Sequence, residues 1–286
     1  MKDELVQILD GESKLSVVVV DCSTAASQIA RGHLSGPVAS RYLSQALSGV
    51  AILGSELSTD DETVSLKLTC SGPLGGFLVE STAAHTLRGY TNKKLFGDYD
   101  GIEYPQDATI LGDNGTFEVI RSRPGKIIAS GIAAVNFKGK TRAGVADGLE
   151  SCFSQSFQRR ARICFSASED QGGVPIFARG ILVECMPDGN FEKFGEVGRL
   201  FDEGVVSKAM SLETFSVRNL LKKIGLPNAE IRSRDKVAFA CRCSAERVTS
   251  MLAALPEEER KTLPPSIDIT CHLCGKIWTV KTNENV

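Results

Sequence analysis

The chain has 286 residues, 42% of them apolar and 24% charged, and a formal net charge of −2 at pH 7. This length suits about two domains, and the composition is that of a globular protein with a sizeable core, which excludes global disorder. The small net charge excludes a whole-protein field that would attract nucleic acid.

The first residues predict no targeting segment and no membrane span. Acidic residues occur from Asp3 onward, and the longest early apolar run, Val17–Val20, is too short for either kind of segment. We therefore expect a soluble protein with no membrane partner, made in a reducing compartment. The expected location is the cytoplasm, although an organelle is not excluded.

Residues 1–189 are predicted to form an α+β core domain. Apolar runs and period-two alternation predict strands, whereas apolar residues at helical spacing predict helices. The frequent hairpins favour α+β over a doubly wound parallel sheet. The predicted strands are 15–22, 63–70, 77–82, 115–121, 126–133, 161–168 and 178–187, and the predicted helices are 36–57 and 144–157.

Nothing in this region predicts an enzyme. The segment Gly139-Lys140-Thr141 resembles the end of a phosphate-binding loop, but Ala134 stands where such a loop needs glycine, so ATP is not expected. The three histidines of the chain are not arranged as part of a nucleophile–base pair.

Residues 190–234 are predicted to be a metastable helical linker. Apolar residues recur at helical steps from Phe191 to Ile224, and Gly225 and Pro227 end the pattern. Because this apolar stripe is modest, we expect the segment to need a supporting surface and to lie between the core and the C-terminal unit.

The C-terminal unit, predicted as residues 235–286, contains four of the nine cysteines in two close pairs. Cys241 and Cys243 form a Cys-x-Cys pair, and after 27 residues Cys271 and Cys274 form a Cys-x-x-Cys pair. Such thiols bind a metal, form disulfides, or do one and then the other. In a reducing compartment the spacing favours a metal, and four thiolates suit one tetrahedral Zn²⁺. His272, between the last two ligands, is expected to point away.

The remaining five cysteines are scattered through apolar segments and are expected to be small buried hydrophobic residues. They are Cys22, Cys70, Cys152, Cys164 and Cys185.

The C-terminal unit is too small to stand on hydrophobic burial alone. Ser244 is placed to cap a helix with an apolar face, and 266–270 and 276–280 are predicted strands around the second pair. Zinc binding contributes about 10–16 kcal/mol to such sites, which acts as folding energy. The unit's 7 basic and 7 acidic residues cancel, so it does not resemble a zinc ribbon that reads nucleic acid.

The thiol chemistry predicts a switch. Thiolates are the form that oxidants attack, and a sulfenic acid beside another thiol condenses to a disulfide. Sequence proximity favours the pairs Cys241–Cys243 and Cys271–Cys274. Each disulfide removes two ligands, so the unit should open, release the helical linker and expose apolar surface that binds unfolded chains.

Six segments carry a resemblance to a known family: VAFACRCSAERV (237–248), ITCHLCGKIWTV (269–280), GPLGGFLVES (72–81), LRGYTN (87–92), SGIAAV (130–135) and ARGILVECMPDG (178–189). They resemble the 33-kDa heat-shock protein family of redox-regulated holdase chaperones. The resemblance is most specific in the cysteine region and runs from about residue 15 to 281.

The resemblance implies an N-terminal substrate-binding domain, a metastable linker and a C-terminal zinc domain whose oxidation activates the protein. It implies a dimer in the active form, with unfolded client proteins as partners. Thioredoxin-type or glutaredoxin-type reductants would reverse the switch. One departure is Phe157, which stands where the family has a glutamate. An interaction made by that glutamate is therefore not expected in this chain.

Two other functions remain open from the sequence. The first is a thiol–disulfide oxidoreductase that uses Cys271 and Cys274, although such motifs usually open a helix, and here an apparent strand follows. The second is a static interaction module stabilised by zinc, with no switch.

Overall fold

The computed structural model describes residues 3–102, 105–138 and 144–281, so the Gly139–Thr141 segment lies outside the described residues. Within these ranges the chain is a mixture of helices and strands, which confirms the α+β class. The strands are β1 (Glu4–Asp10), β2 (Leu15–Asp21), β3 (Thr63–Cys70), β4 (Gly76–Thr82), β5 (Thr86–Thr91), β6 (Asn114–Arg123), β7 (Lys126–Asn136), β8 (Arg160–Glu169), β9 (Pro175–Cys185), β10 (Glu230–Lys236), β11 (Ala238–Phe239), β12 (Ser266–Thr270) and β13 (Ile277–Lys281).

The helices are mostly short, and the longest is α2. In chain order they are α1 (Ser23–His33), α2 (Pro37–Gly54), α3 (Asp107–Leu111), α4 (Val145–Gln155), α5 (Phe191–Asp202), α6 (Val205–Met210), α7 (Val217–Lys223), α8 (Ala245–Ala253) and α9 (Glu257–Lys261), with a 3₁₀ turn at Gly97–Gly101. None of the helices in the described ranges is long and apolar enough to cross a membrane.

Two large sheets build the core. Sheet A has five antiparallel strands in the order β10-β1-β2-β9-β8. Sheet B has the order β11-β5-β4-β3-β6-β7 and is antiparallel except at its edge, where β11 runs parallel to β5. The third sheet is the hairpin β12–β13.

Helix α2 lies between the two large sheets. Pro37 occupies its first turn, where a missing amide proton costs nothing, and its apolar and small residues are buried on almost every side. It packs together with α1 and α4 into one core cluster that includes the inner faces of both sheets. This cluster gives the N-terminal part its main stabilisation, because apolar burial is the dominant favourable contribution to folding.

Helices α5–α7 cover the opposite face of sheet A. Val197, Phe201 and Leu220 are buried there against Val17 and Ile181, in a second core cluster that is separate from the first. The layers therefore run from sheet B through α2 and sheet A to α5–α7.

The arrangement of the linker differs from the expectation in two ways. Residues 230–236 form strand β10, which extends sheet A by pairing with β1, rather than a helix. Helices α5–α7 lie on sheet A, while the C-terminal unit packs against α1 and β5, so the helices are not placed between the core and that unit. The expectation that they lie between the two was therefore wrong.

Phe157 makes an apolar contact at the end of α4. Its ring meets Phe153 edge-on with 5.5 Å between the centroids, and it lies so close to Gly131 of β7 that a Cβ there would come within 2.6 Å of it. The neighbouring Ser156 hydroxyl donates to the Ile132 carbonyl oxygen at 2.6 Å. At this departure from the family resemblance the side chain is thus an aromatic ring that packs on a strand.

Candidate metal centre

The first cysteine pair leads from a strand into a helix. Strand β11 ends two residues before Cys241, and the Ser244 hydroxyl accepts a hydrogen bond from the Arg247 amide at 3.2 Å, which caps α8. A serine cap of this kind stabilises a helix by about 1 kcal/mol. Val248 and Leu252 of α8 pack with Val280 of β13 in a cluster of only three buried residues.

The second pair lies on a tight turn between β12 and β13. The Cys271 amide donates to the Lys276 carbonyl oxygen at 2.9 Å, and the Gly275 amide donates to the Cys271 carbonyl oxygen at 2.8 Å. Gly275 has a φ of +72°, a conformation that glycine adopts without strain. We call residues 271–275 the knuckle.

The four sulfur atoms lie within 4.8 Å of one another. Two close sulfur–sulfur contacts link the first cysteine pair to the second. The Sγ atoms of Cys241 and Cys271 are 3.8 Å apart, and those of Cys243 and Cys274 are 3.5 Å apart. Sulfurs bound at ~2.3 Å to a tetrahedral zinc ion lie about 3.8 Å apart. The four-cysteine cluster has the donor type and spacing that can hold such an ion.

The thiols of the cluster differ in ionisation. Burial opposes ionisation of Cys241, but the hydrogen bond from the Cys243 backbone amide and the neighbouring thiols outweigh it and lower the pKa of Cys241 to about 7. Burial raises the pKa of Cys271 and of Cys274. A bound divalent cation would hold all four as thiolates, because coordination deprotonates a thiol.

The knuckle touches the core through two glycines. A Cβ on Gly32, in the last turn of α1, would come within 2.4 Å of the Cys274 carbonyl oxygen, and a Cβ on Gly275 would come within 1.9 Å of the Gly32 carbonyl oxygen. Real Cβ atoms do not approach backbone oxygens so closely. The two backbones therefore meet at a distance that only glycine allows.

Strand β5 contributes hydrogen bonds to the same contact. The Gly89 amide donates to the Leu273 carbonyl oxygen at 3.0 Å. The His33 ring lies with its Nε2 atom 3.0 Å from the Gly89 carbonyl oxygen, which makes Nε2 the donor. His272 is exposed, and its ring meets Tyr90 edge-on with 6.0 Å between the centroids.

An arginine of the core reaches the cluster itself. Arg88 of β5 donates from Nε to Glu80 at 2.7 Å, which fixes its guanidinium group. Burial opposes the charge, but Glu80 and a hydrogen bond with the Cys241 thiol raise the pKa of Arg88. A cation thus stands beside one candidate ligand.

Small molecules can reach the cluster through a cleft. The cleft has a volume of about 680 Å³ and is lined by Cys241, Cys243 and Cys271 together with Arg88 and Trp278. Cys274 is buried on the side that faces α1. A dissolved oxidant would therefore meet three of the four sulfurs first.

The other cysteines lie away from the cluster. Cys22, Cys152, Cys164 and Cys185 are buried, and Cys70 is half-buried. Burial raises the pKa of Cys22 and of Cys152 to about 12, so these thiols stay protonated at neutral pH.

The sequence predicted that the four cysteines lie together, but it did not predict which residues surround them. Arg88, Gly89 and Tyr90 were noted only as part of a family resemblance, and Gly32 and His33 were not singled out. The glycine inside a strand pattern was the available signal, because such a glycine often marks the close approach of another backbone.

Comparisons with known proteins agree on one family. The profile of the family described as "Hsp33 protein" matches residues 3–281. A protein named 33 kDa chaperonin from Lachnoclostridium phytofermentans is 22% identical, with 99% of this chain and 97% of the relative covered. A 33 kDa chaperonin from Thermus thermophilus is 26% identical, with coverage of 96% and 83%.

A solved structure shows the same fold. The crystal structure of a 33 kDa chaperonin (heat shock protein 33 homolog) from Thermotoga maritima superposes with a TM-score of 0.79 at 18% identity, covering 99% of this chain and 96% of the other. Together with the match of the family profile over almost the whole length, these findings show that the chain belongs to the Hsp33 protein family of chaperones.

Proposed function

We propose that this chaperone is a redox-regulated, ATP-independent holdase that is inactive while its four-cysteine cluster is reduced and holds one zinc ion. Cys241, Cys243, Cys271 and Cys274 are the proposed ligands and redox-active residues. The observation that carries the proposal is the approach of their four sulfur atoms to within 4.8 Å, in a unit whose own apolar cluster has only three buried residues.

Zinc, when bound, keeps the thiols ionised and supplies folding energy that the small apolar cluster lacks. Oxidation of one thiolate in the cleft gives a sulfenic acid, and a neighbouring thiol condenses with it to a disulfide and water. The disulfide leaves two ligands, which no longer close a tetrahedral site. Since several sulfurs are near one another, distance alone does not select the partners, and the sequence-adjacent pairing stays a prediction.

The chain provides a route from the cluster to the linker. Cys241 follows β11 by two residues, and β11 follows β10 by two. Both strands lie at sheet edges, where pairing exists on one side alone. Opening of the cluster removes the anchor of β11, then of β10, and finally weakens the end of the α5–α7 layer.

Light scattering of a heat-unfolded client protein tests the proposal. Reduced, zinc-loaded protein should fail to suppress the scattering, whereas peroxide-treated protein should suppress it without ATP. Replacing Cys271 by Ser should weaken zinc binding and remove the redox control, while Cys70→Ser, outside the cluster, should leave both unchanged. Equal behaviour of the reduced and treated proteins would refute the proposal.

The proposed partners are unfolded client proteins, with thioredoxin-type or glutaredoxin-type reductants for the return step and a homodimer as the oxidised form. The proposed location is the cytoplasm. We propose no catalytic residue, since the curated relatives are named chaperonins rather than enzymes.

The alternative of a thiol–disulfide oxidoreductase is less well supported, because the Cys-x-x-Cys segment runs into β13 rather than into a helix whose dipole would activate a thiol. Turnover in an insulin-reduction assay would favour it. A static zinc module would instead keep its metal and its helical content after peroxide treatment.

A further inference from the structure

Strand β5 is an edge of sheet B that the C-terminal segment covers. Only two residues of β11 pair with it, Ala238 opposite Thr86 and Phe239 opposite Leu87, and the two strands are parallel. A parallel pairing of this length is not stable without further support.

The outer edge of β5 has its backbone groups satisfied from outside the strand. The Ala238 amide donates to the His85 carbonyl oxygen, and the Ala240 amide donates to the Leu87 carbonyl oxygen, both at 3.2 Å. As described above, the Gly89 amide and carbonyl group are taken by Leu273 and His33. Of these four hydrogen bonds, three come from the C-terminal unit.

Two side chains fix the segment in place. Val237 is fully buried in the main core, and Phe239 packs against the same core while partly exposed. Ala238 lies between them and Ala240 after them, with small side chains on the other side. The edge therefore receives an extended segment with large apolar residues at every second position.

Both contacts are tied to the four-cysteine cluster. Ala240 directly precedes Cys241, and Leu273 lies within the knuckle between Cys271 and Cys274. When the cluster opens, the covering residues lose their anchors, and β5 is left with unpaired amide and carbonyl groups beside the part of the apolar core that Val237 and Phe239 cover.

We infer that β5 is then a docking edge for an extended segment of an unfolded client, which adds to sheet B in the place of residues 237–240. This inference rests on the proposed function and gives it a surface. Strand addition draws affinity from main-chain hydrogen bonds and selectivity from alternate side chains. Unfolded chains with alternating apolar residues, which pair with exposed sheet edges during aggregation, match both requirements.

A peptide with the chain's own covering sequence tests this. The probe is a fluorophore-labelled, end-blocked peptide of residues 235–240, Asp-Lys-Val-Ala-Phe-Ala, measured by anisotropy with the full-length protein. It should bind peroxide-treated protein and show at least about tenfold weaker binding to reduced, zinc-loaded protein, in which the edge is covered.

N-methylation of the peptide separates strand addition from general stickiness. Methylation at the position of Ala238 or Ala240 removes a donor that faces β5 and should weaken binding about tenfold, since a lost hydrogen bond of about 1.4 kcal/mol corresponds to that factor. Methylation at the position of Phe239, whose amide points away from β5 in a parallel pairing, should change binding less than about twofold. Equal effects at all three positions would overturn the inference.

A competition experiment separates this inference from the proposed function. If treated protein suppresses client aggregation and excess peptide relieves that suppression, both stand. If the suppression is present but the peptide neither binds nor competes, the docking edge is wrong and the holdase remains. If treated protein does not suppress aggregation, the proposed function itself is wrong. In reduced protein, Phe239→Ala should uncover the edge and increase peptide binding with the zinc content unchanged.

Discussion

Gly32 and Gly275 set how closely the knuckle approaches α1. The approach is between backbones, so even one methyl group at either position meets a carbonyl oxygen. Alanine is intrinsically better than glycine inside a helix by up to about 1 kcal/mol. Glycine at position 32 therefore makes the end of α1 less stable as a helix than alanine would, but it permits the close backbone contact.

Gly32→Ala should loosen the knuckle although it favours the helix. We expect a lower thermal midpoint and faster zinc release under peroxide, measured with a metallochromic chelator. Gly195→Ala in α5 is the matched control, since a Cβ there meets nothing within 4 Å, and it should raise the midpoint slightly. A Gly32→Ala protein as stable as this control would contradict the close contact.

His33 adds a pH dependence to the same contact. Burial, with the nearby charge of Lys94 as a second cause, lowers the pKa of His33 to about 4 from a usual value near 6.5. While the knuckle contacts α1 and β5, His33 stays neutral, whereas it accepts a proton once this contact is broken or the protein unfolds. The contribution of neutral His33 to the stability of the contact is therefore complete above about pH 6.5, and it is lost progressively as the pH falls toward about 4.

Replacing His33 by Gln keeps a donor for the Gly89 carbonyl oxygen but removes the titration. Between about pH 7.5 and 5.5 the thermal midpoint of the unmodified protein should fall more steeply than that of His33→Gln. Parallel slopes would show that His33 does not titrate in the contact. The comparison also corrects for protonation of the cysteine thiolates, which both proteins share.

At the scale of elements, the α5–α7 layer is held to sheet A by more than apolar packing. The Arg179 side chain of β9 is nearly buried and donates to the carbonyl oxygens of Met210 at 2.6 Å and Leu212 at 2.8 Å, at the end of α6. It also donates to Asp21 at 3.1 Å, whose side chain is only 1% exposed. One guanidinium group thus satisfies a buried carboxylate and the free carbonyl groups of a helix end.

Arg179→Met should detach α6 selectively. It leaves Asp21 buried without its counter-ion, and losing one partner of such a pair costs about 3–5 kcal/mol. Hydrogen exchange of the α6 amides should accelerate more than that of the α2 amides. Lys14→Met, which breaks an exposed pair with Asp188 at 3.7 Å, is the control and should cost less than about 0.5 kcal/mol. Equal losses would argue against this role for Arg179.

The elements that the sequence predicted are those with an unambiguous pattern. The alternation in Thr63–Cys70 and the apolar spacing in Pro37–Gly54 both correspond to observed elements. Strand β1 was not predicted, because it is buried on both faces in places and so loses the period of two. Strand β10 lies at a sheet edge and has charged residues at every second position, so its sequence has no apolar pattern. Only its pairing with β1 identifies it as a strand.

The four cysteines were predictable because two close pairs of cysteines are a local pattern typical of metal sites, whereas their surroundings were not. Arg88 lies more than 150 residues before Cys241. Its contact with that thiol arises from the parallel pairing of β5 and β11, a two-residue strand too short to leave a pattern. Long-range contacts of this kind depend on topology rather than on local sequence.

At the scale of the whole molecule, stability is divided unequally. Two large apolar clusters support the layers, while the C-terminal unit has a third cluster of only three buried residues. The chain contains a single tryptophan, Trp278, and it lies in that unit with the Lys276 ammonium group 3.8 Å from its ring centroid. Its fluorescence therefore reports on this unit alone.

Zinc removal by a chelator under reducing conditions should shift the Trp278 emission to longer wavelength while most of the far-ultraviolet circular dichroism is retained. The reason is that the C-terminal unit opens while the layered core stays folded. Cys271→Ser should show the shifted emission from the start, and Cys70→Ser should respond like the unmodified protein. Simultaneous loss of both signals would mean that the unit and the core unfold together.

Residues 230–239 pass from sheet A to sheet B and supply one edge strand to each, β10 beside β1 and β11 beside β5. One stretch of ten residues thus covers the edges of β1 and β5. Both of its strands have features that oppose pairing with another copy, because β10 has charged residues at every second position and β11 has only two residues. Without this stretch β1 and β5 would be open edges, and a molecule with two open sheet edges can polymerise into fibres. The same stretch that would give up its place on β5 to a client in the oxidised protein would, in the reduced protein, keep copies of the chaperone from assembling with one another.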